Sequence, residues 1–357
     1  MEPSQKKYKR IVIKIGSSLI FPTWENPNLS LFDEIADQVS LLVSQGKEIV
    51  LVSSGAIASA MYLLGLKERP RQLNFLQSAS AIGQNELMNT YRNSFEKKGF
   101  RSAQILLTRE DFADRKRSLN AKNTILTLVE MERVIPIINE NDTISTDEIK
   151  FGDNDKLSAL VASLISADML IILSDVDGLL DKNKKVISLV EEINHHIKEL
   201  ACPTTKKACV GGMITKIEAA EIVTDSGIPC VIANGRKKNI ILSVIEGPEE
   251  NGTLFLPKKG LPERKRWIAF NARPKGKIFI DKGAKEAIVK NNRSLLAPGI
   301  VNIEGNFAVG DVIEIFSIDN TRCARGITSV DSYELKTIMG KKHHKEVVHK
   351  DNLVVKR

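Results

Sequence analysis

The chain has 357 residues, 42% hydrophobic and 27% charged, which is too long for one ordinary domain and too apolar for a chain dominated by disorder. No apolar run reaches the roughly 18 residues of a membrane helix, and the start, MEPSQKKYKR, holds no apolar leader core, so a cytoplasmic protein is expected. The net charge is +8, yet twelve Lys or Arg against three acids fall between Lys258 and Arg293; that stretch carries +9 and the rest sums to about −1.

The basic stretch is either a patch that attracts polyanions or a solvated face. Cys202, Cys209, Cys230 and Cys323 form no CxxC pair and no zinc spacing, and read as reduced, mostly buried thiols. His343, His344 and His349 lie in a basic tail and read as solvated. No metal site made by the protein is expected.

Apolar, β-rich runs recur at Arg10–Ile15, Glu48–Val52, Ala103–Leu107, Val134–Ile138, Met169–Leu173 and Pro229–Ile232. Helical patterns lie between them. Ser30 to Asp33 has the form of a capping box opening a helix that ends near Gly46, and Ile214–Ser226 is amphipathic and stops at Gly227. A βαβ series predicts an open, mostly parallel sheet sandwiched by helices, with ligands at the carboxyl ends of its strands. After Leu256 comes a Pro-, Gly- and charge-rich connector, PKKGLPERKR. Short strand signals follow at Lys277–Ile280, Gly299–Ile303, Asp311–Phe316 and Cys323–Ser329, predicting a second, small, mostly-β domain. The expected division is a catalytic domain at 1–257, a basic linker at 258–274 and the small domain at 275–353.

Five constellations carry chemistry. Lys14 ends the first strand and Gly16-Ser17-Ser18 follow, which suits a phosphate or a merely solvated lysine; no Walker A loop and no strand-linked GxGxxG is present. Ser53-Ser54-Gly55-Ala56 offers backbone amides at a helix start, a seat for a carboxylate or an ordinary cap. INENDTIS and FGDNDKLSA group Asn139, Asn141, Asp142, Asp153, Asn154 and Asp155 around a strand end and the next helix. Asp142 and Asn154 suit the ammonium group of an amino acid, and Asp155 suits the alignment of lysines; two capped polar loops are the plain alternative. Ser174-Asp175 closes the fifth strand where a nucleotide would sit. Gly211-Gly212 opens a helix with Lys216 on its first turns, a second phosphate seat or a glycine-started helix with a solvated lysine.

In this order the motifs resemble the amino-acid kinase family across residues 10–256. INENDTIS, GDNDKLSA and GGMITK look like its glutamate 5-kinase branch, and about Lys275 to Asp351 resembles a PUA domain. The resemblance implies ATP-dependent phosphorylation of the γ-carboxylate of L-glutamate, giving L-glutamyl 5-phosphate on the way to proline. It implies Lys14, Lys216 and Asp155 as catalytic residues and Ser54, Gly55, Asp142 and Asn154 as the glutamate site. Lys14, Ser174, Asp175, Val210, Gly211, Gly212, Met213, Ile214, Thr215 and Lys216 fall to ATP, with Mg2+ riding on the nucleotide. It further implies proline as inhibitor, a glutamyl phosphate reductase as partner, and a homo-oligomeric dimer or tetramer. The pair Ser174-Asp175 departs from the Thr-Asp common in the family but keeps the hydroxyl. The competing readings are another kinase of the family, acting for example on N-acetylglutamate, and an RNA-binding protein acting through the PUA-like domain. RNA is not expected as the main ligand.

Overall fold

The computed structural model describes residues 8–23, 26–145, 154–201, 212–258, 260–341 and 346–355. The chain forms two compact units, one of Met1–Asp111 with Lys116–Gly260 and the other of Phe112–Arg115 with Leu261–Arg357.

The first unit is built on eight strands. They are β1 (Arg10–Ile15), β2 (Glu48–Ser53), β3 (Arg101–Leu107), β4 (Val134–Glu140), β5 (Met169–Ser174), β6 (Leu189–Val190), β7 (Cys230–Asn234) and β8 (Thr253–Phe255). They lie in the order β3-β4-β2-β1-β5-β7-β8-β6. All neighbours are parallel except β7 with β8. The helices are α1 (Ser17–Ile20), α2 (Leu29–Ser44), α3 (Ala56–Leu63), α4 (Leu73–Glu96), α5 (Arg109–Ala113), α6 (Arg115–Glu130), α7 (Asn154–Leu164), α8 (His195–Ala201), α9 (Met213–Asp225) and α10 (Ile240–Glu246).

Successive strand residues face opposite sides, and this alternation positions the site. Ile11, Ile13 and Ile15 share one core with Leu31, Ile35 and Val39 of α2, Leu87, Tyr91 and Phe95 of α4 and Ile241 of α10. Val12 and Lys14 therefore turn to the other face. The chain leaves β1 toward β2 on one side and β5 toward β7 on the other, while β1 and β5 are neighbours. Strand order thus reverses between them, and a crevice at such a switch point is where open parallel sheets bind ligands.

Helix α2 starts differently from the expectation. Its cap is Asn28, whose side chain accepts from the Leu31 amide. Ser30 lies inside the first turn and donates to Asn28 Oδ1 at 2.9 Å. Either residue type caps well; Asn28 prevails because the chain leaves the helical conformation two residues earlier.

In the second unit the main sheet orders its strands β11-β9-β12-β13-β15, with a separate pair β10-β14. Their ranges are β9 (Gly276–Ile280), β10 (Leu295–Leu296), β11 (Ile300–Gly305), β12 (Val312–Ser317), β13 (Arg322–Ile327), β14 (Glu346–Val348) and β15 (Leu353–Val355). Ile278, Ile280, Ile300, Ile313, Ile315 and Ala324 form its core. Two helices not foreseen from the sequence, Lys282–Val289 and Ser332–Ile338, are capped by Asp281 and Asp331. The stretch read as a linker is helical from Glu263 through a π-helical turn ending at Asn271. The apolar Trp267 and Ile268 within this charged run explain it: Ile268 is fully buried with Ala272 and Val312. Of the cysteines, Cys230 and Cys323 are free and buried, and Cys202 and Cys209 lie outside the described residues, as do His343 and His344. No helix among the described residues is long and apolar enough to cross a membrane.

Candidate active site

Three charged side chains meet on the face that carries Lys14. Lys14 is 5% exposed, Asp155 4% and Lys216 8%. Lys14 reaches this point because β1 is central, pairing Lys14 with Val52 on one side and Ile172 on the other. Asp155 stands in the first turn of α7, where the helix dipole favours a carboxylate. Lys216 is one turn into α9. The Lys14 ammonium lies 2.6 Å from Asp155 Oδ1, and that of Lys216 lies 3.2 Å from Oδ2. The Thr215 hydroxyl donates to the same Oδ2 at 2.7 Å. Burial works against the charge on Asp155, but Lys14 and then Lys216 outweigh it and hold the carboxyl at about 2, below its ordinary 3.8. The carboxylate is thus ionised at any physiological pH, and it fixes two ammonium groups close together.

A second, uncharged network adjoins it through Asn154. The Asn154 amide nitrogen donates to Ser53 O at 2.9 Å, Ser54 Oγ at 3.0 Å and Asn139 Oδ1 at 2.9 Å. Asn139 passes the chain on to Gln84 of α4, donating to its Oε1 at 2.7 Å. Ser53 Oγ and the Tyr91 hydroxyl are 2.9 Å apart. Gly55, at φ +108°, turns the chain from β2 into α3, a conformation open to glycine at little cost.

Asp142 sits on the loop after β4. Ser80 of α4 donates to its Oδ2 at 3.0 Å. Burial pushes the Asp142 carboxyl up, and the Ser80 hydroxyl and the Arg69 charge offset part of the rise. At the end of β5, Ser174 is buried and donates to the exposed Asp175 at 3.1 Å. On α9, Gly212 is exposed, Met213, Ile214 and Thr215 are half-buried, and Lys216 is buried. Val210, Gly211 and Asp153 lie outside the described residues.

The structure therefore brings Lys14, Asp155, Thr215 and Lys216 into one cluster and Ser54, Asn154 and Asn139 into an adjoining one. Sequence reading assigned no part to Ser80, Gln84 or Tyr91. The available signal was a polar stripe at helical spacing, Gln77, Ser80 and Gln84, on a helix that also carries buried Leu76, Leu87 and Tyr91.

A mostly parallel sheet flanked by helices, with two buried ammonium groups gathered at its switch point, is the arrangement in which α/β proteins hold anionic ligands at their strand ends. Residues 9–234 match the amino acid kinase family, and residues 276–350 match the PUA domain. The chain belongs to the amino acid kinase family and carries a PUA domain C-terminal to the kinase-type domain in sequence. It is similar along nearly its whole length to a glutamate 5-kinase of Thermoanaerobacter sp. (strain X514), 44% identical over 97% of each chain. The glutamate 5-kinases of Geobacter sulfurreducens and Dictyoglomus thermophilum are 43% and 42% identical, each over 98% of both chains.

Proposed function

We propose that this chain transfers the γ-phosphoryl group of ATP to the γ-carboxylate of L-glutamate, giving L-glutamyl 5-phosphate and opening the route to proline. The observation that carries the reading is the pair of lysine ammonium groups on the two oxygens of buried Asp155.

Attack of one anion on another is the physical problem. Two unit charges 4 Å apart repel by about 4 kcal/mol at an effective dielectric near 20. The carboxylate nucleophile is already ionised at pH 7, so no general base is required. The burden falls on positive charge and alignment. Lys14 and Lys216 stabilise the charge that spreads over the transferring phosphoryl oxygens, and Asp155, with Thr215, keeps both ammonium groups aimed. Ser54, Gly55, Asn154 and Asp142 hold glutamate, Asp142 by its ammonium group. Ser174, Asp175 and residues 210–216 hold the nucleotide.

Among the described residues no group of three or more His, Cys, Asp or Glu converges on a metal position. A lone exposed carboxylate such as Asp175 fits Mg2+ carried on the nucleotide, which keeps most of its waters and supplies further positive charge when bound. The same reading includes a cytoplasmic homo-oligomer, inhibition by proline, and hand-over of the labile acyl phosphate to a glutamyl phosphate reductase.

Incubation with glutamate, MgATP and hydroxylamine tests the proposal, since an acyl phosphate is trapped as the hydroxamate; no hydroxamate from the folded protein would sink it. N-acetylglutamate, which lacks the ammonium group, should react poorly, and equal turnover of the two acids would exclude glutamate as the preferred substrate. Lys216→Ala should lower kcat by about 100- to 1,000-fold with little change in the KM for glutamate. A change in KM alone would make Lys216 a binding residue only. Asp142→Ala should raise that KM by about 10- to 100-fold, the value of a hydrogen bond to a charged group, with kcat nearly kept. An unchanged KM would remove Asp142 from the glutamate site.

A further inference from the structure

Helix α4 carries a residue with an unused hydrogen-bonding group at the substrate network. Three buried side-chain amides, Gln84, Asn139 and Asn154, run in a chain, and backbone groups at its middle and at its Asn154 end fix every orientation. Asn139 Oδ1 accepts from the Glu140 amide at 2.9 Å. A backbone N–H can only donate, so the oxygen of Asn139 must face it and the nitrogen must face Gln84. The Gln84 oxygen is thereby used as acceptor at 2.7 Å. At the other end Asn154 Nδ2 donates to the carbonyl of Ser53 at 2.9 Å. A carbonyl can only accept, so the Asn154 oxygen points elsewhere. Flipping Gln84 or Asn139 would set donor against donor, and flipping Asn154 would set acceptor against acceptor.

Two atoms remain. Gln84 Nε2 and Asn154 Oδ1 are both buried and have no hydrogen-bond partner among the described residues. Gln84 is 7% exposed and Asn154 5%. Buried polar groups left unpaired are costly and rare, and call for a partner that the described residues do not provide. Among the described residues this amide chain keeps one donor and one acceptor unpaired, on either side of Asn139. An α-amino acid carries on a single carbon the complementary pair, a carboxylate that accepts and an ammonium that donates.

We infer that Gln84 reads the α-carboxylate of the amino-acid substrate through its amide nitrogen, while Asn154 Oδ1 and Asp142 take the ammonium group. The inference rests on the glutamate reading above, in which the other carboxylate of the substrate is committed to phosphorus. The construction of α4 supports it. Ser80, one turn before Gln84 on the same face, donates to Asp142 at 3.0 Å. Gln77 donates to Ser145 O at 3.2 Å. One helical stripe thus meets the end of β4 at Asn139 and the loop after it at Asp142 and Ser145, and presents the readers of both α-substituents. The close seat of α4 on the first turn of α3 comes from Gly83, where an added Cβ would lie 1.8 Å from Ala56 O. That contact brings Gln84 beside the end of β2, where Ser53 and Ser54 meet Asn154.

The test compares two acceptors, glutamate and 4-aminobutyrate. The latter keeps the ammonium and the reacting carboxylate and lacks the α-carboxylate. Gln84→Glu retains the size of the side chain and an oxygen acceptor for Asn139, but replaces the donor by an anion. It should lower kcat/KM for glutamate about 30-fold or more, chiefly through KM, and leave that for 4-aminobutyrate within about threefold. Where turnover of the analogue is too slow to trap, its inhibition constant against glutamate is read instead, with the same threefold limit. Gln84→Met, uncharged and of similar length, also removes the acceptor for Asn139; it should cost some activity on both compounds but clearly more on glutamate, and it covers the case in which Gln84→Glu fails to fold. Equal losses on both compounds, or no loss on either, would overturn the inference and leave Gln84 a structural amide satisfied by a buried water. A wild-type protein that forms no hydroxamate from glutamate would instead overturn the parent reading.

Discussion

Asp155→Asn should lower kcat by about four orders of magnitude and cost about 3–5 kcal/mol of stability. Asparagine has nearly the same size, so packing is preserved and the loss is that of charge. Asp155 is the partner of Lys14 on one oxygen and of Lys216 and Thr215 on the other. Neutralising it sets two buried ammonium groups against each other with less to hold them, and both lose their aim at once, which is why the expected loss exceeds that of Lys216→Ala. The pH dependence gives an independent check. The folded-state pKa is depressed, from 3.8 to about 2. The stabilisation is therefore fully present above pH 4 or so and is lost as the pH falls through about 2. Denaturant titrations should show a constant gap between wild type and variant from about pH 8 to about pH 5, narrowing only below about pH 4. A variant retaining a tenth of wild-type kcat would show that the two lysines do not depend on Asp155.

The sheet was legible because its strands are buried on both faces. Such strands read as unbroken apolar runs, and the six predicted ones correspond to strands β1 to β5 and β7, β1 matching at both ends and the others with ends shifted by at most two residues. Lys14 stood out for the same reason, as a charge closing an apolar strand. Helix α4 did not stand out. Gln77, Ser80 and Gln84 sit at spacings that fit a solvent-facing stripe, and polar helix residues face solvent far more often than they face a ligand. Their partners are remote in sequence: Gln84 meets Asn139 from 55 positions away, and Ser80 meets Asp142 from 62. Periodicity reports which residues share a face; only the packing of α4 on α3 decides what that face touches. In the second unit the two short helices were missed because their aspartate caps lie among turn residues, where Asp has an equally good reason to occur.

The packing of α4 yields the last expectation, and its sign opposes ordinary helix propensity. Gly83→Ala inside a 24-residue helix would by propensity alone stabilise by about 1 kcal/mol. Here the new Cβ would lie 1.8 Å from Ala56 O, 2.6 Å from Ala60 N and 2.8 Å from Ala56 C. All three atoms are backbone, so no rotamer change relieves the overlap. The helices α3 and α4 must move apart, loosening buried Ala56, Ala60, Met61, Leu76 and Leu87. We expect a loss of about 3–5 kcal/mol, at the upper end for overpacking, and a Tm lower by about 10 °C. The separation also draws Ser80 and Gln84 away from Asp142 and Asn139, so whatever folded enzyme remains should show a raised KM for glutamate with the KM for ATP nearly unchanged. Ala81→Gly, at an exposed position of the same helix, should cost only about 1 kcal/mol and leave both constants alone. A Gly83→Ala protein as stable as wild type would show that α3 and α4 are not seated this closely. The glutamate site would then have to be built without the stripe that α4 presents to it.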